Sequence, residues 1–175
     1  MMKRGTLNAS RSTIRVLGID PGTATTGWAV LEEKDGEIFS LGYGHISTSP
    51  KNRAAKRLKE VSDDLKKIIN KYHPQESAVE DIFFFKNVKT AVKVSQSRGA
   101  ILLTLESSKV SIYEYTPLQI KQAITGYGRA DKNQIQQMVK SILKLKNIPK
   151  PDDTADAIAV ALCHLQSRKM LGLYK

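Results

Sequence analysis

The chain has 175 residues, enough for one domain with a sizeable core, and its 41% hydrophobic content excludes a disordered protein. Its 28 Lys and Arg residues outnumber its 17 Asp and Glu residues, giving a formal net charge of +11 that favours a polyanion such as nucleic acid as partner. The single cysteine, Cys163, excludes an intrachain disulfide. No apolar run approaches the roughly 18 residues of a membrane span, so we expect a cytoplasmic protein with no membrane partner.

The first part of the chain predicts a basic tail followed by three strands. Residues 1–13 have no hydrophobic periodicity and are predicted to be disordered or left over from cloning. Residues 14–20 form an apolar run that ends in Asp20 before a Pro-Gly turn, the pattern of a buried strand. Residues 27–31 and 38–46 predict two further strands, which would complete a meander.

The rest of the chain alternates helices with two more strands. Ser49-Pro50 predicts the start of a long amphipathic helix that ends before Pro74. A short strand then ends in Glu80, and a helix over residues 88–105 and a fifth strand over residues 110–115 follow.

Three helices are predicted at the end of the chain. Capping-box patterns begin at Thr116 and at Asp131, and the last helix runs from near Asp152 to about Arg168. The order βββαβαβααα indicates an α/β domain over residues 14–168, a five-stranded mixed sheet with helices on both faces. A short tail over residues 169–175 is expected to follow.

Four carboxylates stand at the ends of these elements. Asp20 and Glu80 end two strands, and Asp153 and Asp156 are spaced i and i+3 in the first turn of the last helix. Asp153 could instead serve only to cap the helix. Asp156 directly precedes the apolar run 157–163 and is therefore expected to enter the core with it. Buried carboxylates require a cation or another partner.

The chemistry of this set predicts a metal-dependent hydrolase. The set contains oxygen ligands without the Cys and His residues that zinc prefers, which suits Mg²⁺, with Mn²⁺ as a possible substitute. Two such ions about 4 Å apart can activate water and stabilise the leaving oxygen of a phosphodiester.

Seven segments together resemble the RuvC family of Holliday-junction resolvases, in order from about residue 14 to residue 168. The segments are Gly18-Ile-Asp20-Pro-Gly22-Thr, Thr26-Gly27-Trp28, Val79-Glu80-Asp-Ile-Phe83, Lys86-Asn87, Gln96-Ser-Arg98-Gly99, Gly126-Tyr-Gly128 and Asp153-Thr-Ala-Asp156-Ala157. The resemblance implies a ribonuclease H-like fold and a homodimer. It also implies nicking of two opposing strands of a four-way DNA junction, with 5′-phosphate and 3′-hydroxyl ends, and a branch-migration helicase as a possible partner.

The resemblance also implies roles for individual residues. The metal-binding and catalytic acids would be Asp20, Glu80, Asp153 and Asp156, although the tandem Asp152-Asp153 leaves a shift of one residue open. Phe83 would stack on unpaired bases at the crossover. Alternatively, all three consecutive phenylalanines could pack in the core or in a dimer contact.

Four basic residues are candidates for contacts to DNA, and the helix from Val88 is a candidate for the dimer contact. Lys121 and Lys132 match basic residues on the active-site side of the family, and Lys86 and Arg98 are further candidates; any of them can instead be a solvated surface charge. Ser95 and Gly99 on the helix suit a dimer contact, but packing against the sheet explains them equally well.

Three other functions compete with this interpretation. A sugar-kinase or actin-like ATPase shares the Asp-x-Gly-Thr pattern but needs two such domains. A non-catalytic nucleic-acid-binding module would be expected to lack one of the acids. Another ribonuclease H-like nuclease acting on a different substrate remains open, because substrate choice depends partly on shape.

Overall fold

The structure is a computed structural model that describes residues 13–81, 88–170 and 172. Its elements follow the predicted order and are β1 (Ile14–Asp20), β2 (Thr25–Lys34), β3 (Glu37–Ser47), α1 (Ala54–Tyr72), β4 (Glu76–Glu80), α2 (Val88–Ser107), β5 (Ser111–Tyr115), α3 (Pro117–Thr125), α4 (Lys132–Ile142) and α5 (Asp152–Met170). Residues 1–12 lie outside the described ranges, as do most of residues 169–175, so the two predicted tails and the domain limits stay predictions.

The five strands form one mixed sheet in the order β3-β2-β1-β4-β5. The first three strands are an antiparallel meander, whereas β4 pairs with β1 in parallel and β5 pairs with β4 in parallel. The predicted meander and the mixed five-stranded sheet are therefore confirmed. The parallel pairs bring the carboxyl ends of β1, β4 and β5 to one edge of the sheet, which is where a site is expected in such a fold.

Two hydrophobic cores cover the two faces of the sheet. Along β1, Val16 belongs to the core formed with α3, α4 and α5, while Leu17 and Ile19 belong to the core formed with α1 and α2. Successive residues of a strand point to opposite faces, so a central strand with helices on both sides must be apolar almost throughout. The near-continuous apolar run of β1 follows from this arrangement.

The helix boundaries agree with the sequence except at the start of α1. Both predicted capping boxes are present, at Thr116 for α3 and at Asp131 for α4. The predicted start of α1 at Ser49-Pro50 is wrong, because the Asn52 N–H donates to the Ser49 carbonyl (3.1 Å) in a turn and the helix begins at Ala54.

Helix α5 lies against the middle of the sheet and is buried over most of its length, including Cys163, whose thiol lies in the core. Burial raises the pKa of this thiol to about 11, so it is inert at neutral pH.

None of the helices in the described ranges is both long and apolar enough to cross a membrane. The first turn of α5 carries Asp152 and Asp153, and Asp156 follows in the next turn.

Candidate active site

The register of the sheet brings Asp20 and Glu80 together. In the parallel pair of β1 and β4, Ile19 lies beside Val79, so the next residue of each strand is a carboxylate at the same level. The two carboxyl groups are hydrogen-bonded to each other. Because both side chains stand at the carboxyl ends of neighbouring strands, they open onto the edge of the sheet rather than into the core.

Two strand glycines let α5 approach this edge. A Cβ atom at Gly27 would lie 1.9 Å from the carbonyl oxygen of Asp153, and one at Gly18 would lie 2.3 Å from the carbonyl oxygen of Ala157. Only glycine allows a helix backbone to come this close to a strand. The N-terminal part of α5, which carries Asp153 and Asp156, is thereby held beside Asp20.

Mutual repulsion and burial disfavour ionisation of these acids. Burial and then the charges of Glu80, Asp156 and Asp153 raise the pKa of Asp20 to about 8. Burial and then the charge of Asp156 raise the pKa of Glu80 to about 7, and burial also raises the pKa of Asp156. A hydrogen bond donated by a protonated Asp20 to Glu80 relieves the repulsion when no cation is present.

Two lysines contribute positive charge to the same cleft. Lys132 Nζ lies 3.0 Å from Asp156 Oδ2, and the charges of Lys132 and Lys121 both act to lower the pKa of Glu80. The cleft has a volume of about 280 Å³ and combines acids and lysines with an apolar wall. Its lining residues are Asp20, Glu80, Pro117, Ile120, Lys121, Lys132, Ile135, Asp156 and Ala159.

Asp152 and Asp153 have different surroundings. Asp152 accepts a hydrogen bond from Lys150 (2.8 Å) and pairs with Lys132 (3.5 Å), and the bond from Lys150 lowers its pKa. Asp153 is the member of the tandem whose charge acts on Asp20. The electrostatic effect thus links Asp153 rather than Asp152 to Asp20, and the choice of Asp153 from its three-residue step to Asp156 stays a prediction.

The donor set fits a hard divalent cation. Within the described ranges, no three His, Cys, Asp or Glu side chains lie close enough together to hold a metal ion as they are placed. The carboxylates nevertheless offer oxygen atoms from three elements, and the raised pKa values of Asp20, Glu80 and Asp156 indicate an excess of negative charge that a cation would offset. Asp20, Glu80, Asp153 and Asp156 are the residues that could hold it.

The remaining predicted DNA contacts are placed differently. Phe83 and Lys86 lie outside the described residues, so their predicted roles stay untested. Arg98 lies beside Glu80 but contacts protein groups, because its guanidinium pairs with Asp81 and Glu114. Its predicted contact with DNA also stays untested, and only 16% of its side chain is exposed.

Several residues that build the site were not singled out from the sequence. Gly18 and Gly27 belong to the motifs discussed above, and a glycine inside a strand is a signal of close backbone approach that could have assigned them a role. The apolar wall formed by Pro117, Ile120 and Ile135 is assembled from α3 and α4. No local sequence pattern predicts this apolar wall, because each of these residues has the pattern of an ordinary core position.

Comparison with known proteins gives one consistent family. The family model described as "Crossover junction endodeoxyribonuclease RuvC" matches residues 16–164. A protein of that name from Caldicellulosiruptor saccharolyticus is 55% identical over 155 residues, which are 88% of this chain and 93% of the relative. Another from Halothermothrix orenii is 51% identical over 155 residues, or 89% of this chain and 94% of the relative.

Solved structures agree with the sequence relatives. The structure described as T. thermophilus RuvC in complex with Holliday junction substrate matches with a TM-score of 0.85 and 35% identity, over 90% of this chain and 96% of that one. The yeast mitochondrial Holliday junction resolvase matches with a TM-score of 0.67 at 12% identity, over 95% of this chain and 84% of that one, and shows the shared fold alone.

Proposed function

The chain belongs to the RuvC family of crossover junction endodeoxyribonucleases, and from this premise we propose how its own residues carry out the reaction. It is a metal-dependent endonuclease that resolves Holliday junctions. The observation that supports the proposed mechanism is one cleft in which Asp20 and Glu80 meet the first turn of α5, with Lys121 and Lys132 beside them.

We assign Asp20, Glu80, Asp153 and Asp156 to the binding of Mg²⁺, with two ions per active site and Mn²⁺ as a substitute. The support is the all-oxygen donor set and the unfavourable clustering of its negative charges. When bound, the ions supply a water of lowered pKa and stabilise the charge that develops on the phosphodiester oxygens.

The lysines and the apolar wall have separate tasks in this proposal. Lys132 and Lys121 face the acids and would neutralise the nonbridging oxygens of the scissile phosphate. Ile120 and Ile135 are almost fully buried and line the same cleft, so they would exclude bulk water from one side of the reacting group. The cleft would thus orient the phosphate between a charged side and an apolar side.

The outward face of α2 is the surface we propose for the homodimer. Val92 is 52% exposed and Leu103 is 69% exposed, and Ser95 and Gly99 lie exposed between them. Packing against the sheet therefore does not account for these small residues. A Cβ atom at Gly99 would meet nothing within 4 Å, which leaves room for a second helix. Two copies related by a twofold axis would present two active sites to opposing strands.

Four further expectations belong to the same proposal. Base stacking by Phe83 and a phosphate contact by Lys86 follow from the family resemblance. A branch-migration helicase would supply the junction in the cell, and this DNA substrate makes the cytoplasm the expected location.

Nicking of a synthetic four-way junction tests the proposed function. The junction, a linear duplex and an RNA–DNA hybrid are each incubated with Mg²⁺ or with a chelator. We expect paired, symmetric nicks in the junction alone, with 5′-phosphate ends, and no nicking in the chelator. Preferential cleavage of the hybrid would assign a different substrate, and tight junction binding without cleavage in Mg²⁺ or Mn²⁺ would indicate a binding module.

A further inference from the structure

Arg98 links α2 to the end of the strand that carries Glu80. Its Nε donates to the main-chain carbonyl of Glu80 (3.4 Å), and its Nη2 pairs with Asp81 Oδ1 (3.2 Å) and with Glu114. These partners lie on β5 and at the end of β4. One guanidinium thereby holds together the two strand ends that border the cleft.

The preceding residue makes the corresponding contact to the other catalytic strand. Ser97 is 1% exposed, and its Oγ donates to the main-chain carbonyl of Gly22 (2.9 Å), two residues beyond Asp20. The same carbonyl accepts a bond from Thr26 Oγ1 (2.9 Å), so the turn after β1 is held from two sides. Consecutive residues of α2 thus contact the backbones next to Asp20 and Glu80.

The environment of Arg98 suits a positioning role better than a contact with DNA. Two carboxylates face its guanidinium, so its charge is largely neutralised within the protein. A planar guanidinium with several donors can hold a carbonyl and two carboxylates in one fixed arrangement. Lys93 on the same helix is exposed and has the accessibility that a phosphate contact requires.

We propose that Arg98 is a positioning residue for catalysis, which holds the backbone of Glu80 so that its carboxylate lies beside Asp20 for metal binding. Ser97 performs the same task for the turn after Asp20. This inference rests on the proposed function, because it concerns the same metal-binding acids. It also connects the helix face of the proposed dimer directly to the active site, since Ser97 and Arg98 lie on α2 between Val92 and Leu103.

Metal binding by the protein without DNA tests this inference. Mn²⁺ binding is followed by electron paramagnetic resonance for the wild-type chain, Arg98→Gln and Arg98→Lys, with Lys93→Gln as the matched loss of one α2 charge. We expect Arg98→Gln to bind Mn²⁺ about 10-fold more weakly, as is typical for loss of a group that orients a ligand. Arg98→Lys should be intermediate, and Lys93→Gln should bind Mn²⁺ as the wild type does.

Junction affinity, measured with the chelator present, separates positioning from DNA contact. Arg98→Gln should bind the junction with unchanged affinity and salt dependence. Weaker junction binding, a shallower salt dependence and wild-type Mn²⁺ binding would overturn the inference and make Arg98 a phosphate contact.

Glu114→Gln keeps the test decisive if Arg98→Gln does not fold. Removing this partner should weaken Mn²⁺ binding in the same direction as Arg98→Gln, although less. A tighter junction complex with unaltered Mn²⁺ binding would instead show that Arg98 had been released to bind DNA. Failure of the proposed function would give a different result, because the wild-type chain itself would then bind Mn²⁺ without nicking the junction.

Discussion

Lys132 Nζ lies 3.0 Å from Asp156 Oδ2, so the cleft contains an ion pair between a helix α4 cation and an acid of the proposed metal site. Burial works against the charge of Lys132, but the hydrogen bond to Asp156 and the charges of Asp156 and Asp152 raise its pKa overall. The lysine is therefore protonated throughout the neutral range. It is available as a fixed positive charge when a phosphate enters the cleft.

Lys132→Met is expected to reduce single-turnover cleavage about 100-fold or more, since one lost charge stabiliser typically costs this much. Junction affinity should change little, because it depends on many phosphate contacts. Lys140→Met is the matched control on the same helix and should cleave normally. Equal rates for the two variants would assign Lys132 to the solvated surface.

Asp20→Asn is expected to abolish cleavage while junction binding persists. Because burial raises the pKa of Asp20 to about 8, its ionised form is unfavourable in the metal-free fold. The variant should therefore be more stable than the wild type in chelator at pH 8, as measured by urea unfolding. Asp64→Asn on the exposed face of α1 should change neither property. Loss of junction binding together with a fall in stability would show that Asp20 is structural.

Gly27→Ala tests the close approach of α5 to the sheet. The added Cβ would lie 1.9 Å from the Asp153 carbonyl oxygen, so the first turn of α5 must move. We expect a loss of cleavage of about 100-fold, typical of a small misplacement of catalytic groups. Gly44→Ala controls for general strain in the sheet, because its Cβ would contact the Trp28 side chain instead, at 3.2 Å. Similar losses in both variants, in proportion to their stability, would contradict the specific role of Gly27.

Leu103→Lys tests the dimer face of α2. A charge placed at the centre of an apolar contact should weaken self-association about 10-fold or more, as measured by sedimentation. Met138→Lys is the control at another exposed apolar helix position, 38% exposed on α4, and should leave association unchanged. A dimer that survives Leu103→Lys unaltered would place the contact elsewhere.

Lowering the pH should weaken the contribution of one buried polar cluster, the cluster around His164, to the stability of the fold. His164 is fully buried, with its ring nitrogens 2.7 Å from the Tyr115 hydroxyl and 2.7 Å from Glu76 Oε2. Burial lowers the pKa of His164 below 6.5. Burial acts to raise the pKa of Glu76, but bonds from Arg168 and His164 outweigh it and lower the pKa below 4.5.

The sign of the pH effect follows from these directions. Below pH 6.5 the unfolded chain takes up a proton at His164 that the folded chain resists, and below pH 4.5 the same holds for Glu76. The contribution of this cluster to stability should therefore fall as the pH is lowered through each value, which is opposite in sign to the contribution of Asp20 and Glu80, whose raised pKa values favour the fold at lower pH. His164→Gln should flatten the dependence just below pH 6.5 in urea unfolding, whereas exposed His45→Gln should not. An unchanged slope in His164→Gln would mean that another group carries the effect.

Much of the fold could be predicted from local sequence patterns. The apolar run of β1, the capping residues Thr116 and Asp131 and the periodic helices act over a few neighbouring residues, so their signals are present in the chain itself. The predicted start of α1 is wrong because the pair Ser49-Pro50 is equally compatible with a helix start and with an isolated turn. Here the chain makes the turn first and begins the helix at Ala54.

The sequence by itself determined the four acids of the proposed site, since a carboxylate at a strand end or a helix start is visible from the order of residues. The tertiary structure alone decided their arrangement. The register of β1 on β4 sets Asp20 beside Glu80, and the missing side chain of Gly27 admits the first turn of α5. It also decided that Arg98 faces Asp81 and Glu114. These relationships join residues distant in sequence, and the free energy that selects them comes from packing and charge across the whole sheet.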